Sequence, residues 1–280
     1  MSGGGGAGMT GSGDRYTIVD TSSGARAVRD ELSGEVMHPM LGAAEAEQLY
    51  VAQSGLFGQL TKSSGGTVTL FDVGLGAGSN ALAARRVAES QPGPQPASVL
   101  DLVSFERDLS PLELALREPA SFGLEGEPGE AARALLAHGR HETPRTRWTL
   151  LHGDVLASLG QLTKSADLVF WDPYSPRMNP GLWTVGAFSA LRARCAANAT
   201  VFTYSASTTT RAAMLLAGFA VGIGEGTGRQ RQTTVAAMSR AALAQPLGAR
   251  FWERLERSTA PLPSDAPPDA RERLRAALLG

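Results

Sequence analysis

The stretch TVTLFDVGLGAGSNALAARRVAE occupies residues 67–89. TVTLFDV is apolar and β-branched except for Asp72, the composition of a buried strand. Gly74, Gly76 and Gly78 follow as G-x-G-x-G, which suits a tight turn that a ligand can approach closely. SNALAARRVAE is a run of helix formers. Strand, glycine turn and helix in this order predict the opening βα unit of an α/β fold.

Working outward, the alternation continues. QPGPQP reads as a surface loop and SVLDLVSFE as a second strand. Ser110 is expected to cap a helix, with Pro111 in its first turn and Glu113 three residues after the cap. PGEAARALLAHG is helical, WTLLHGD a third strand and DLVFWD a fourth. VGAFSALRARC, ATVFTYS and TRAAMLLAG give helix, fifth strand and helix. FAVGIGEG and QTTVAAMSR, joined by TGRQR, predict a closing hairpin whose last strand runs antiparallel. Strands alternating with helices imply a mostly parallel, doubly wound Rossmann-like sheet. Upstream, RYTIVD is a short strand and GAAEAEQLYVAQSGL a helix. The expected organisation is a Gly/Ser-rich disordered tail over 1–14, an N-terminal extension over 15–60, the main α/β domain over 61–240, and a tail over 241–280 with one short helix.

Composition narrows the function classes. The 280 residues are 42% hydrophobic and carry a formal net charge of −1, so no global field attracts polyanions. Lys62 and Lys164 are the only lysines, and the remaining basic residues are arginine. One cysteine, Cys195, excludes an internal disulfide and a cysteine-rich metal site. The histidines His38, His138 and His152 lack metal-ligand spacing, so no metal is expected. No apolar run reaches the roughly 20 residues of a membrane span. The start, MSGGGGAGMTGSG, lacks the basic and apolar parts of a secretion signal, so a cytoplasmic protein is expected.

The chemistry concentrates at the strand ends. A helix N-terminus behind the glycine loop offers free N–H groups and positive potential. It suits the pyrophosphate of a nicotinamide dinucleotide or the amino-acid end of S-adenosylmethionine. In the second case Asp72 supplies an acid for the ammonium, and Asn80, in the first helical turn, joins the cofactor-binding set. Glu106 ends the second strand, where a carboxylate can accept both ribose hydroxyls. Asp154 ends the third, either near an adenine amino group or as the cap of the following helix. GxGxG, Glu and Gly-Asp on three consecutive strand ends favour S-adenosylmethionine over NAD, and so does the closing hairpin.

The fourth strand then delivers WDPYSPRMNPGLWT, residues 171–184. Asp172 can hold the N–H groups of an attacking amine and accept its proton, which makes it, together with Tyr174, a candidate catalytic residue. Pro173 stiffens the turn. Tyr174 offers a face for stacking a base, worth roughly 1–3 kcal/mol. Asp-Pro-Tyr is close to the Asp-Pro-Pro-Tyr signature of methyltransferases acting on exocyclic amines of nucleobases. The alternative is a capped turn with a core tyrosine. Trp183 reads as scaffold rather than as a substrate platform.

These stretches together resemble one family. GAAEAEQLYVAQSGL, FDVGLGAGSNAL, VSFERDLSPLELAL, LLHGDV, DLVFWDPYSPRMNPGLWT, FTYSAS and LAGFAVGIGEGTGRQRQTTVAAM resemble, in order, the methyltransferase half of the bacterial MnmC-type enzymes. These are the tRNA 5-methylaminomethyl-2-thiouridine methyltransferases. The resemblance covers roughly residues 30–240. It implies S-adenosylmethionine as cofactor and methylation of 5-aminomethyluridine, often 2-thiolated, at the tRNA wobble position. It implies that Asp172 is the catalytic acid, beside the cofactor as well as the substrate. Gly74, Gly76, Gly78, Glu106 and Asp154 fall on the cofactor loop and strand-end acids. Glu45 falls on a glutamate that either faces the methionine amino group or caps its own helix. With no flavin oxidase domain in the sequence, the stand-alone form is the one resembled.

A tRNA partner, bound through its anticodon region, needs local basicity. Arg177, just past the catalytic corner, and Arg229 and Arg231, in the closing hairpin, are the candidates. A further cluster, Arg140, His141, Arg145 and Arg147, precedes the third strand. All are expected on loops. Two other readings stand beside this one: a methyl- or aminopropyl-transferase acting on another amine, such as a polyamine, and a non-catalytic relative that binds cofactor or RNA.

Overall fold

The computed structural model describes residues 15–38, 43–62, 65–93, 97–227, 230–259 and 262–280. The tail over 1–14, Arg229 and part of QPGPQP therefore lie outside the described residues.

An antiparallel hairpin comes first, β1 (Tyr16–Asp20) against β2 (Arg26–Asp30). RYTIVD is thus a strand as expected, and β2 is its unforeseen partner. The helical stretch after it is broken. α1 (Ala43–Ala46) runs into a π-helical turn, Glu47–Ala52, and α2 (Leu56–Lys62) restarts after Gly55.

The main sheet then builds through β3 (Gly66–Val73), α3 (Ser79–Glu89), β4 (Ser98–Glu106), α4 (Ser110–Ala115), α5 (Glu127–His138), β5 (Arg140–Glu142), β6 (Thr146–His152), α6 (Val155–Gln161) and β7 (Ala166–Trp171). It is completed by α7 (Val185–Arg192), β8 (Cys195–Thr203), α8 (Thr208–Leu216), β9 (Ala220–Thr227) and β10 (Gln230–Ala237). Two helices close the chain, α9 (Ala249–Arg257) and α10 (Ala270–Leu279). The sheet order is β5-β6-β4-β3-β7-β8-β10-β9. Strands β6, β4, β3, β7 and β8 are parallel, and β5, β10 and β9 bring the antiparallel pairings.

The chain moves outward from β3 through β4 and β6, then returns to β7 on the other side of β3. A crevice opens beyond the carboxyl ends of the strands at such a reversal, and ligands of open α/β sheets bind there. The central strands are apolar on both faces, as a sheet covered on both sides requires. Leu70 and Phe170 pack with Tyr50, Leu56 and Leu82 on one face. Phe71, Val73, Val169 and Trp171 pack with Phe188, Met214 and Phe251 on the other. The N-terminal segment and the last two helices thus share the same two apolar layers.

Several local expectations change. Ser110 is the first residue of α4 and makes no capping bond from its side chain; Asp108 Oδ1 instead accepts its backbone N–H at 3.1 Å. The 241–280 segment holds two helices rather than one. Phe251 and Leu255 of α9 are buried although RFWERLER is mostly charged. Arg140 and His141 lie on edge strand β5, Arg147 on β6 and Arg231 on β10, not on loops. Arg145 and Arg147 flank the start of β6, so parallel pairing carries them to the sheet end opposite the crevice.

Candidate active site

The crevice holds a cavity of about 840 Å³, within the roughly 300–1,000 Å³ of small-molecule sites. Its floor is the glycine turn. Backbone φ is +90° at Gly74 and +53° at Gly76, conformations that side chains disfavour. A Cβ at Gly74 would sit 2.6 Å from the carbonyl oxygen of Asp172. The two loops therefore touch backbone to backbone, and the Asp172 N–H donates to Val73 O at 2.9 Å. This contact seats the β7 corner against the β3 turn. No side chain caps α3, so its first-turn amides are left for a ligand anion.

Glu45, Gly74, Gly76, Glu106, Asp154, Asp172 and Tyr174 all line this cavity. Glu106 holds the loop closed on itself: Oε2 accepts from the Gly76 N–H at 3.0 Å, and Oε1 from the amides of Arg107 and Asp108. Asp154 both lines the cavity and caps α6, accepting the Ala157 N–H at 2.9 Å. Glu45 is buried in the cavity wall on α1. The Tyr174 hydroxyl is buried without a hydrogen-bond partner, and burial raises its pKa. Trp183 is scaffold: it is buried and donates from Nε1 to the Tyr174 carbonyl at 2.9 Å.

Other expected residues fall elsewhere. Gly78 lies behind the cavity under Leu112 and Leu82. Asn80 does not reach the wall either; its Nδ2 donates to Asp172 Oδ2 at 2.7 Å. Arg177 is exposed beyond the corner, donating to the Ser33 carbonyl at 3.1 Å, and Arg231 is exposed on β10.

Asp72 is the clearest correction. Its carboxyl is fully buried in the sheet, not on the cavity wall. Trp148 Nε1 donates to Ser104 Oγ, which in turn donates to Asp72 Oδ2 at 2.8 Å, while Oδ1 has no partner. Burial lifts its pKa to about 7, with Asp172 and Glu106 adding repulsion. The folded protein thus keeps a proton that the unfolded chain releases near pH 4, and stability falls as pH rises from about 4 to about 7. Asp72→Asn removes that slope. Its stability relative to the parent is expected to improve by about 2–3 kcal/mol between pH 5 and pH 8. Denaturant unfolding at both pH values checks this, and a constant difference would contradict it.

Asp172 sits in a different environment. Burial raises its pKa, opposed first by His38 and then by Tyr50 and Asn80. The buried Tyr50 hydroxyl makes no direct hydrogen bond. Residues that sequence reasoning missed complete the wall. His38 Nε2 stands 3.7 Å from Asp172 Oδ2. Glu35 accepts from both the N–H and the hydroxyl of Ser175. Tyr204 donates to the Pro173 carbonyl at 3.4 Å. Tyr16 donates to Asp108 Oδ2 at 2.8 Å, and Arg15 pairs with the same carboxylate. No local signal marks these residues, because each is held at the cavity by a partner distant in sequence.

The donor set fits S-adenosylmethionine. An uncapped helix end can take a carboxylate, a strand-end glutamate can take a diol, and a buried acid stands beside the loop.

Comparison with known proteins agrees. A family described as S-adenosyl-L-methionine-dependent methyltransferase matches residues 133–239. The tRNA 5-methylaminomethyl-2-thiouridine biosynthesis bifunctional protein MnmC of Ralstonia nicotianae is 32% identical over 203 residues, 70% of this chain and 30% of that protein. Its namesake in Methylibium petroleiphilum is 31% identical over 224 residues, 76% of this chain and 33% of that protein. The chain therefore spans about a third of the length of these relatives. The crystal structure of MNMC2 from Aquifex aeolicus superposes with a TM-score of 0.72 at 26% identity, over 94% of this chain and 83% of that one. A spermidine synthase from Thermotoga maritima, 12% identical with a TM-score of 0.50 over 88% of this chain and 76% of that one, shares the fold. Family match, fold and cavity converge: the chain belongs to the S-adenosyl-L-methionine-dependent methyltransferases and is similar to the MnmC proteins over about a third of their length.

Proposed function

We propose that this protein methylates the aminomethyl group of 5-aminomethyluridine, 2-thiolated or not, at the wobble position of tRNA in the cytoplasm. The observation that carries the reading is the position of Asp172, an acid on the wall of a cavity floored by a glycine turn. The reading is supported by the MnmC relatives, whose names contain 5-methylaminomethyl-2-thiouridine, the nucleoside that this methylation would form in 2-thiolated tRNA.

S-adenosylmethionine supplies a methyl group already activated by its sulfonium. In this reading the α3 amides, Glu106, Asp154 and Glu45 hold the cofactor. The chain's own work is on the acceptor. An alkylammonium has no lone pair, so it must lose a proton before it can attack. Asp172 accepts that proton and aims the nitrogen, and Asn80 fixes the carboxylate by its bond to Oδ2. Tyr174 gives the uracil ring a face to stack on. Arg177 and Arg231, with Arg229, take phosphates of the anticodon arm by local charge, since the chain's net charge is only −1.

The test is methylation of tRNA carrying 5-aminomethyluridine by the purified protein, read by nucleoside mass analysis. The expected product is the methylaminomethyl nucleoside. Methylation of a polyamine with no action on tRNA would favour the other amine acceptor. Joint charge reversal of Arg177 and Arg231 is expected to raise KM for tRNA by about tenfold or more while leaving cofactor affinity intact. Unchanged tRNA kinetics would remove these residues from the interface.

A further inference from the structure

His38 is placed in a way that the methyl-transfer reading does not yet use. It is the only non-glycine residue with positive φ among the described residues, at +51°. Such a conformation is strained in a side-chain-bearing residue, so surrounding contacts must hold it. They do so just upstream. Val36 bridges to Arg29 of β2, and the Met37 N–H donates to Val28 O at 2.9 Å. Met37 also lies over Gly76, its sulfur 3.1 Å from where a Cβ there would stand. The segment 36–38 is thus a strap from the N-terminal hairpin across the glycine turn. Its left-handed last residue turns the imidazole into the cavity, mostly buried, with Nε2 3.7 Å from Asp172 Oδ2. That is ion-pair distance rather than a hydrogen bond.

The surroundings make this contact consequential. The titratable groups around the pair are mostly acids or phenols: Glu45 on α1, Tyr50 on the π-helical turn, Asp72 on β3, Glu106 at the end of β4, Tyr204 after β8 and Glu35 just before the strap. The cavity's arginines, Arg15 and Arg107, line other parts of the wall, and Arg15 is engaged by Asp30 and Asp108. Among the described residues, His38 is the only basic side chain within ion-pair distance of Asp172. Without it, burial and neighbouring acids would push Asp172 toward its protonated form, which cannot accept a proton.

We propose that His38 is a positioning residue for methyl transfer, keeping the Asp172 carboxylate ionised so that it can take the proton of the acceptor ammonium. This rests on the methyl-transfer reading above. The step balances simply. An N–H bond of the ammonium breaks, its electron pair stays on the amine nitrogen, and the proton goes to the carboxylate, which releases it to solvent once the product has left. Nothing is oxidised or reduced.

The test uses His38→Asn, because asparagine tolerates the left-handed backbone better than other side chains and the strap stays intact. Removing the group that holds Asp172 ionised moves the acid limb of kcat/KM to higher pH. The expected result is a shift of about one pH unit or more, with an approximately tenfold or larger loss at pH 7 that recovers within about threefold at pH 9. A uniform loss at every pH would mean a structural role and overturn the proposal, as would an unshifted profile. The second arm needs no acceptor, so it stands even if the tRNA reading fails. The ring-proton resonances of the His38 imidazole are followed by proton NMR at pH 7 in the parent protein and in Asp172→Asn. They are expected to move when the facing charge is removed. Unchanged resonances would show that the two groups are uncoupled and sink the proposal.

Discussion

Asp172→Asn is expected to slow methyl transfer by about 10²–10⁴-fold, the span usual for loss of a positioned proton acceptor. Affinity for S-adenosylmethionine is expected to stay within about threefold. The amide is the same size, and the backbone bond from residue 172 to Val73 O does not involve the side chain. The Asn80 contact survives because the amide oxygen can still accept from Nδ2. Stability should not fall. Losing the charge-assisted part of one hydrogen bond costs about 1 kcal/mol, and the desolvation that now raises the Asp172 pKa disappears with the charge. Calorimetric titration, thermal unfolding and single-turnover rates separate the possibilities. Parallel loss of cofactor binding and turnover would make Asp172 a structural residue.

The second large effect is expected at Gly74. Gly74→Ala places a methyl group 2.6 Å from the Asp172 carbonyl oxygen and 2.9 Å from Pro173 Cα, in a backbone at φ +90°. Both obstacles are main chain, so neither can swing aside. Left-handed strain of about 1–2 kcal/mol adds to overpacking of about 1–3 kcal/mol. The loss should total about 2–5 kcal/mol, with cofactor affinity reduced by 100-fold or more because the turn and the Asp172 corner are forced apart. Gly76→Ala is the informative control. There the new methyl meets only the end of the flexible Met37 side chain at 3.1 Å, at a smaller φ of +53°. The order of damage, Gly74 above Gly76, is the result that tests the close seating of the two loops. Equal tolerance at both positions would contradict it.

The sequence was most legible where chemistry is local. Alternating apolar strands and helix-forming runs between residues 67 and 237 specified the parallel sheet and its antiparallel close. Glycines at 74 and 76, an acid at the end of β4 and another at the end of β7 were readable because turns and strand ends announce themselves in a few letters. The helix α9 was not legible. Its mostly charged text hides Phe251 and Leu255, which are buried because α10 packs on α9 and both helices join the apolar layer on that face of the sheet. Ser110 was misread as a cap by one position because Asp108, two residues earlier, supplies the same kind of acceptor with better geometry.

The sequence alone therefore determined the fold class and, through its motifs and the family they resemble, the cofactor and the carboxylate proposed as catalytic. Short-range propensities and motif spacing are enough to place those residues at strand ends. The tertiary structure decided which acids face the cavity. Asp72 and Asp172 both terminate or nearly terminate central strands, yet only the one beyond the strand end escapes the sheet interior. It also decided that Asn80 serves Asp172 rather than the cofactor wall, and that His38 meets a residue far along the chain. Such contacts arise when the chain returns to the far side of β3, and no local pattern encodes where two distant loops will close on each other.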